Sequence, residues 1–115
     1  MNKEEEKLQE RERINRLLTI YGKSLSPLKY QDLCSYYRDD LSLSEIAENR
    51  HVSRNAVHLN LKQGEKELEK MEKTLHIYEH SMTIYKELEA IDSDTSDEEI
   101  HRIITKIKEE LKYGI

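Results

Sequence analysis

The hydrophobic positions of this chain recur every three or four residues, and no segment alternates between apolar and polar residues at period two. That spacing places apolar side chains on one side of an α-helix. The pattern therefore predicts an all-α protein without strands. The first helix is marked by the stripe Ile14, Leu17, Leu18 and Tyr21.

A second helix is predicted to begin at Ser26-Pro27, because Ser is a favourable N-cap and Pro fits the first helical position. Its buried and half-buried side is formed by Tyr30, Leu33, Cys34, Tyr36 and Tyr37. Cys34 is interpreted as a small core residue, because no catalytic context surrounds it.

The stretch from Leu41 to Lys62 predicts a short helix, a tight turn and the start of another helix. Ser42 and Glu45 have the spacing of a capping box, and Ser53 provides the next N-cap. The short helix that follows Ser42 can extend only to about Arg50, because the next helix begins at Ser53. This order predicts a helix-turn-helix with its motif at residues 42–62.

Small and apolar residues occupy the positions that such a motif requires. Ala47 allows the two helices to cross closely, and Val57 faces inward from the second helix. Val52 is expected to plug the space beneath them. His51 stands at the turn position where Gly is common, and His adopts a left-handed backbone more readily than a branched residue does.

The helical pattern runs from Ser53 to about Ala90, either as one continuous helix or with a break near Gly64 or Lys73-Thr74. Its heptad stripe suggests a homodimer. A second stripe, Ile77, Ile84, Leu88 and Ile91, lies beside the first, and the rival hypothesis is that the C-terminal helix covers both stripes in a monomer. The predicted dimer interface consists of Leu68, Met71, Leu75, Tyr78, Met82 and Tyr85.

The C-terminal part is predicted to form a helical hairpin. Residues 92–94 are expected to turn, and Ser96 to Glu99 resembles a second capping box. The last helix carries the stripe Ile100, Ile103, Ile104, Ile107 and Leu111. We expect a helix-turn-helix domain over residues 1–70 and a C-terminal helical extension over residues 71–115.

Charge is distributed unevenly along the chain. The net charge is −5, which argues against a whole-surface attraction to nucleic acid. Arg50 to Lys62 nevertheless contains no acidic residue. No apolar run is long enough to cross a membrane, the N-terminus lacks the apolar core of a secretory signal, and the single cysteine suits a reducing compartment. A cytoplasmic location is expected.

If the second motif helix enters a major groove, its outward N-terminal side chains read the bases. Arg54 suits guanine, Asn55 suits adenine, and Leu59 suits a thymine methyl group. Arg50 and Lys62 suit phosphates. The alternative is a three-helix core with a solvated polar face. The candidate nucleic-acid contacts are Arg50, Ser53, Arg54, Asn55, His58 and Lys62.

Other chemistry is weakly indicated. His76 and His80 lie one turn apart near Glu79, but a third metal ligand is not evident, and a polar helix face explains them better. The sequence has no phosphate-binding Gly-rich loop and no nucleophile elbow. We therefore predict neither an enzyme, nor a metal site, nor a cofactor.

The motif LSLSEIAENRHVSRNAV, preceded by Tyr36-Tyr37-Arg38-Asp39-Asp40, resembles the YlxM family of small bacterial proteins. The motif is also similar to region 4 of sigma-70-type factors, and winged-helix-like proteins are a related class. His51 and the acidic C-terminal hairpin depart from the pattern.

The resemblance implies a DNA-binding regulator that is dimeric and associated with the signal recognition particle pathway, with Arg54, Asn55 and His58 at recognition-helix positions. The alternative is an interaction module that binds the RNA or proteins of that particle without reading DNA.

Overall fold

The structure, a computed structural model, describes residues 2–113. Within that range it contains helices and no strand, so the predicted all-α class is confirmed and no β-wing accompanies the motif. The α-helices are α1 (Lys3–Tyr21), α2 (Pro27–Tyr37), α3 (Leu43–Arg50), α4 (Arg54–Leu75), α5 (Ile77–Asp94) and α6 (Glu98–Tyr113), and a 3-10 turn at Gly22–Ser24 follows α1.

The chain forms two compact units, Met1–Leu75 and His76–Ile115. His76 separates α4 from α5 and has a left-handed backbone with φ of 56°. The helical pattern from Ser53 to Ala90 therefore forms two helices, because a residue in this conformation interrupts helical hydrogen bonding. The break lies two residues after Thr74, so the alternative of a break near Lys73-Thr74 is confirmed, whereas α4 continues through Gly64.

In the first unit, α4 packs against α1, α2 and α3. Leu68 is fully buried there, so its predicted role in a dimer interface is wrong: its side chain already belongs to the core. The predicted stripe of α1 is confirmed as core. The buried apolar side chains of this unit are Ile14, Leu17, Leu18, Tyr21, Leu25, Leu33, Ile46, Ala47, Val57, Leu61 and Leu68.

Gly64 is buried in the middle of α4 and marks a close approach between helices. A Cβ atom added there would lie 2.7 Å from Leu33 Cδ1 on α2, closer than such atoms normally come. Gly costs about 1 kcal/mol in a helix interior relative to Ala. The helix continues through Gly64 because its missing side chain lets α2 settle against α4.

The second unit is a hairpin of α5 and α6. Ion pairs join Asp92 to His101 and Glu89 to Lys108, so the two helices run antiparallel, as expected. Tyr78, Met82 and Tyr85 are half-buried. The expected turn at residues 92–94 is helical instead, and Asp97 rather than Ser96 caps α6, since Asp97 Oδ1 accepts from Glu99 N–H at 2.9 Å.

Much of the apolar surface of this hairpin remains open. Ile104 is the one buried side chain among its described residues. The hypothesis that α6 covers both stripes of α5 is therefore wrong. The exposed isoleucines, with their accessible fractions, are Ile84 (44%), Ile91 (52%), Ile100 (38%) and Ile103 (52%).

Among the described residues, no helix combines the length and the hydrophobicity that a membrane crossing requires.

The hairpin should show a pH dependence centred on His101. The hydrogen bond to the Asp92 carboxylate raises the pKa of His101 above its ordinary value of 6.5. A raised pKa means that the ion pair stabilises the fold fully below pH ~6.5 and loses that contribution as pH rises through the folded-state value. We expect NMR titration to give a His101 pKa above 6.5 and Asp92→Asn to lower it. A His101 pKa at or below 6.5 in the parent would contradict the assignment.

Candidate nucleic-acid interface

The first motif helix, α3, begins at the predicted capping box. Glu45 N–H donates to Ser42 Oγ at 3.1 Å, and Ser42 N–H donates to Glu45 Oε1 at 3.0 Å. The hydrogen bonds that the Glu45 carboxylate accepts from Ser42, first from its backbone N–H and then from its side chain, lower the pKa of Glu45. Both ends of the box are therefore formed, which fixes where α3 starts.

The turn after α3 depends on a left-handed residue. His51 has φ of 58° and ψ of 42°, as the motif requires at this position. Its backbone N–H donates to Glu48 O at 3.3 Å, and Val52 N–H donates to Ala47 O at 3.0 Å. This arrangement closes the C-terminal end of α3 in the way that Gly usually permits.

Val52 does not plug the space beneath the motif helices. Its side chain is 39% exposed, so that prediction is wrong. Ile46, Ala47 and Val57 are buried and fill the position between the helices. The Val52 backbone is held against α3, while its side chain remains accessible.

The second motif helix, α4, is capped by Ser53, whose Oγ accepts from Ala56 N–H at 3.0 Å. The expected inner residues Val57 and Leu61 are buried. The opposite side of the same turns is accessible to a ligand. The exposed residues there are Ser53, Arg54, Asn55, His58, Leu59 and Lys62.

Arg50 is placed differently from the other predicted contacts. Its side chain is 18% exposed, and Nη1 lies 2.6 Å from Asp32 Oδ2 on α2. The guanidinium is therefore committed to an ion pair inside the unit. We assign Arg50 a role in positioning α3 and remove it from the candidate phosphate contacts.

Asp32 connects three helices beneath the motif. Its side chain is fully buried, and Oδ2 accepts from Arg50 Nη1 at 2.6 Å and from Asn60 Nδ2 at 2.8 Å. Arg50 ends α3 and Asn60 lies in α4, so a single carboxylate on α2 holds both motif helices. Within the described residues, Asp32 Oδ1 is buried without a hydrogen-bond partner.

The comparisons with known proteins agree with this geometry. Residues 8–110 match the family UPF0122, described as "Putative helix-turn-helix protein, YlxM / p13 like". The chain belongs to this family. The resemblance to YlxM proteins is thereby confirmed.

Several curated UPF0122 proteins are similar over most of their length. The protein from Oceanobacillus iheyensis is 39% identical over 97 residues, which cover 84% of this chain and 92% of the relative. The protein from Fusobacterium nucleatum is 38% identical over 94 residues, covering 82% and 91%. The protein from Malacoplasma penetrans is 44% identical over 78 residues, covering 65% and 73%.

Sequence patterns alone missed Asp32 in this UPF0122 chain. Asp32 lies next to Leu33 on α2, where the sequence pattern marks only the apolar residues as buried. An acidic residue beside them is normally solvated. The available signal was its placement on the buried side of α2, which implies a cationic partner. Nothing in the spacing identified Arg50 and Asn60 as the donors.

The histidines considered for a metal are on α5 and at its start. His76 Nδ1 lies 2.9 Å from Glu79 Oε2, and the ring centroids of His76 and His80 are 6.2 Å apart. An exposed hydrogen bond within one helical turn accounts for His76 and Glu79.

Removing the Asp32 carboxylate should destabilise the first unit strongly. We expect Asp32→Ala to lower the free energy of unfolding by about 3 kcal/mol, because it leaves a half-buried guanidinium without its partner. Urea denaturation followed by circular dichroism measures the change. Asp39→Ala is the control, because Asp39 is exposed, and it should stay within about 0.5 kcal/mol of the parent. Equal stability of the two variants would show that the network does not hold the motif.

Proposed function

We propose that this protein is a DNA-binding regulator that reads a major groove with the N-terminal half of α4. The observation that carries the proposal is the exposed polar surface from Ser53 to Lys62 on a helix whose start, turn and inner face are all fixed. A helix-turn-helix places its second helix in the groove with N-terminal side chains toward the bases. Membership in a helix-turn-helix family supports the same assignment.

The local charge favours DNA even though the chain is acidic overall. Arg50 to Lys62 contains no carboxylate, and Arg54 and His58 are exposed within it. Arg54 reads guanine, Asn55 reads adenine, and Leu59 meets a thymine methyl group. Ser53, His58 and Lys62 contact the backbone or neighbouring base edges, which sets the register.

Selection from a random duplex library, followed by anisotropy titration at low salt, tests this assignment. We expect Arg54→Ala to weaken binding to the selected site by about 1–3 kcal/mol. Asn55→Ala should relax the preference for adenine at one position, because its amide no longer pairs with that base edge.

Lys23→Ala is the control, because Lys23 is exposed on the 3-10 turn outside the motif. It should leave both the affinity and the selected sequence unchanged. A parent protein that binds no duplex would overturn the proposal, and so would an Arg54→Ala variant that binds as tightly as the parent.

We also propose that the protein acts as a homodimer through α5 and α6. A two-helix hairpin with one buried side chain among the residues that the structure describes leaves much apolar surface in water, and a second copy would cover it. The interface therefore shifts from the sequence-predicted stripe to the exposed isoleucines Ile84, Ile91, Ile100 and Ile103. A dimer carries two motifs, which matches operators built from two half-sites.

Ile91→Glu should convert this dimer to a monomer, because a carboxylate would be buried at the interface. Light scattering at micromolar concentration gives the mass. Ala90→Glu introduces the same residue at the preceding position of α5, which is also exposed, and should remain dimeric. A monomeric parent would contradict the proposal, as would equal masses for the two variants.

The second candidate function is an interaction module of the signal recognition particle machinery. It rests on the resemblance to YlxM proteins and on the open isoleucines of α5 and α6, which suit a protein partner. A pull-down from lysate, with and without nuclease, separates RNA from protein partners. Absence of particle components from both samples would count against it.

A further inference from the structure

Beyond the motif, α4 separates its charges onto two sides. From Lys62 onward it carries four lysines and four glutamates; the lysines are all exposed, whereas the glutamates are half-buried or, at Glu72, buried. A surface helix with mixed charges usually pairs them with each other along its length. The lysines are Lys62, Lys66, Lys70 and Lys73, and the glutamates are Glu65, Glu67, Glu69 and Glu72.

Side chains of α1 bind two of these carboxylates. Arg13 donates to both oxygens of Glu69 at 2.8 Å. Tyr21 Oη donates to Glu72 Oε1 at 2.7 Å, inside the core. These glutamates are therefore engaged in holding α1 against α4.

Side chains of α2 bind the other two carboxylates. Lys29 Nζ lies 2.8 Å from Glu67 Oε1, and Tyr37 Oη donates to Glu65. Burial, together with the hydrogen bond to Glu65, raises the pKa of Tyr37. Each of the four carboxylates thus has a partner on α1 or α2.

The lysines keep their charge available to solvent. Lys62 Nζ approaches Glu65 Oε2 only to 3.8 Å. Among the described residues, Lys66, Lys70 and Lys73 form no ion pair with a carboxylate. Charge complementarity therefore points to a polyanion as the partner of this surface.

The four lysines extend the side of α4 that we propose faces the bases. We call this side of the helix the cationic stripe. Successive members lie three or four residues apart, so they share one side of α4. From Asn55 to Lys73 the helix rises about 27 Å at ~1.5 Å per residue, which exceeds the ~12 Å width of a major groove. The members in chain order are Asn55, Leu59, Lys62, Lys66, Lys70 and Lys73.

We infer that Lys66, Lys70 and Lys73 contact the phosphate backbone of duplex DNA flanking the groove that the N-terminal half of α4 reads. The inference rests on the proposed function and adds three contacts outside the motif. These lysines supply sequence-independent affinity, while Arg54 and Asn55 supply discrimination. The acidic chain thereby holds DNA through one helix side.

The test compares two triple variants of the full-length protein. In the stripe variant, Lys66→Gln/Lys70→Gln/Lys73→Gln removes the three lysines beyond the motif, and in the control Lys3→Gln/Lys7→Gln/Lys23→Gln removes the same charge from exposed positions elsewhere. Anisotropy with the selected duplex is measured between about 50 and 200 mM salt. We expect the stripe variant to bind more weakly on every sequence, with the salt slope reduced by about 1 for each lysine. The control should match the parent.

The outcomes separate this inference from the proposed function. If the parent binds DNA and the stripe variant has the same affinity and salt slope, the inference alone is overturned. The same holds if the control variant loses as much affinity as the stripe variant. A parent that binds no duplex overturns both. Tighter, equally lysine-dependent binding to duplex RNA of the same sequence overturns the assignment to DNA. Single Lys→Gln variants, read in the same way, serve if the triple variant does not fold.

Discussion

The buried carboxylate of Asp32 is the constraint on which the motif geometry depends. A charge inside a protein is tolerated only when donors compensate for its lost hydration. Arg50 and Asn60 supply that compensation from the end of α3 and the interior of α4. The relative placement of the two motif helices is thereby tied to α2. The Asp32 carboxylate beneath α4 therefore also fixes the direction in which the outer face of α4 points.

The same logic sorts the charges along α4. Carboxylates are used against the neighbouring helices, where Arg13, Lys29 and two tyrosine hydroxyls meet them. The lysines are left on the side facing solvent. An acidic protein thus presents a locally cationic helix, which reconciles the net charge of −5 with the proposed binding to DNA.

Helix positions and caps were largely predictable, because they depend on local chemistry. The capping residues Ser42, Glu45 and Ser53 predict where α3 and α4 begin. The apolar stripe that ends at Tyr21 predicts the buried side of α1. A break near Lys73-Thr74 was one of two alternatives, but the spacing of apolar residues did not decide between a broken and a continuous helix or point to His76 as the left-handed residue. The Asp32 network and the outward position of Val52 depend on packing between helices, which spacing along one chain does not encode. The predicted DNA contacts are close together in sequence. That Arg50 turns inward could not be predicted without knowing where α2 lies, because its partner Asp32 is on that helix.

The most direct test of the central claim is NMR mapping of the binding surface on the isotope-labelled protein titrated with its selected duplex. We expect the largest chemical-shift changes at backbone amides of residues 53–62 and at the side-chain amide of Asn55, with smaller changes along the exposed side of α4. Changes centred on α1 or on the hairpin of α5 and α6, with α4 unaffected, would contradict the claim that α4 reads DNA.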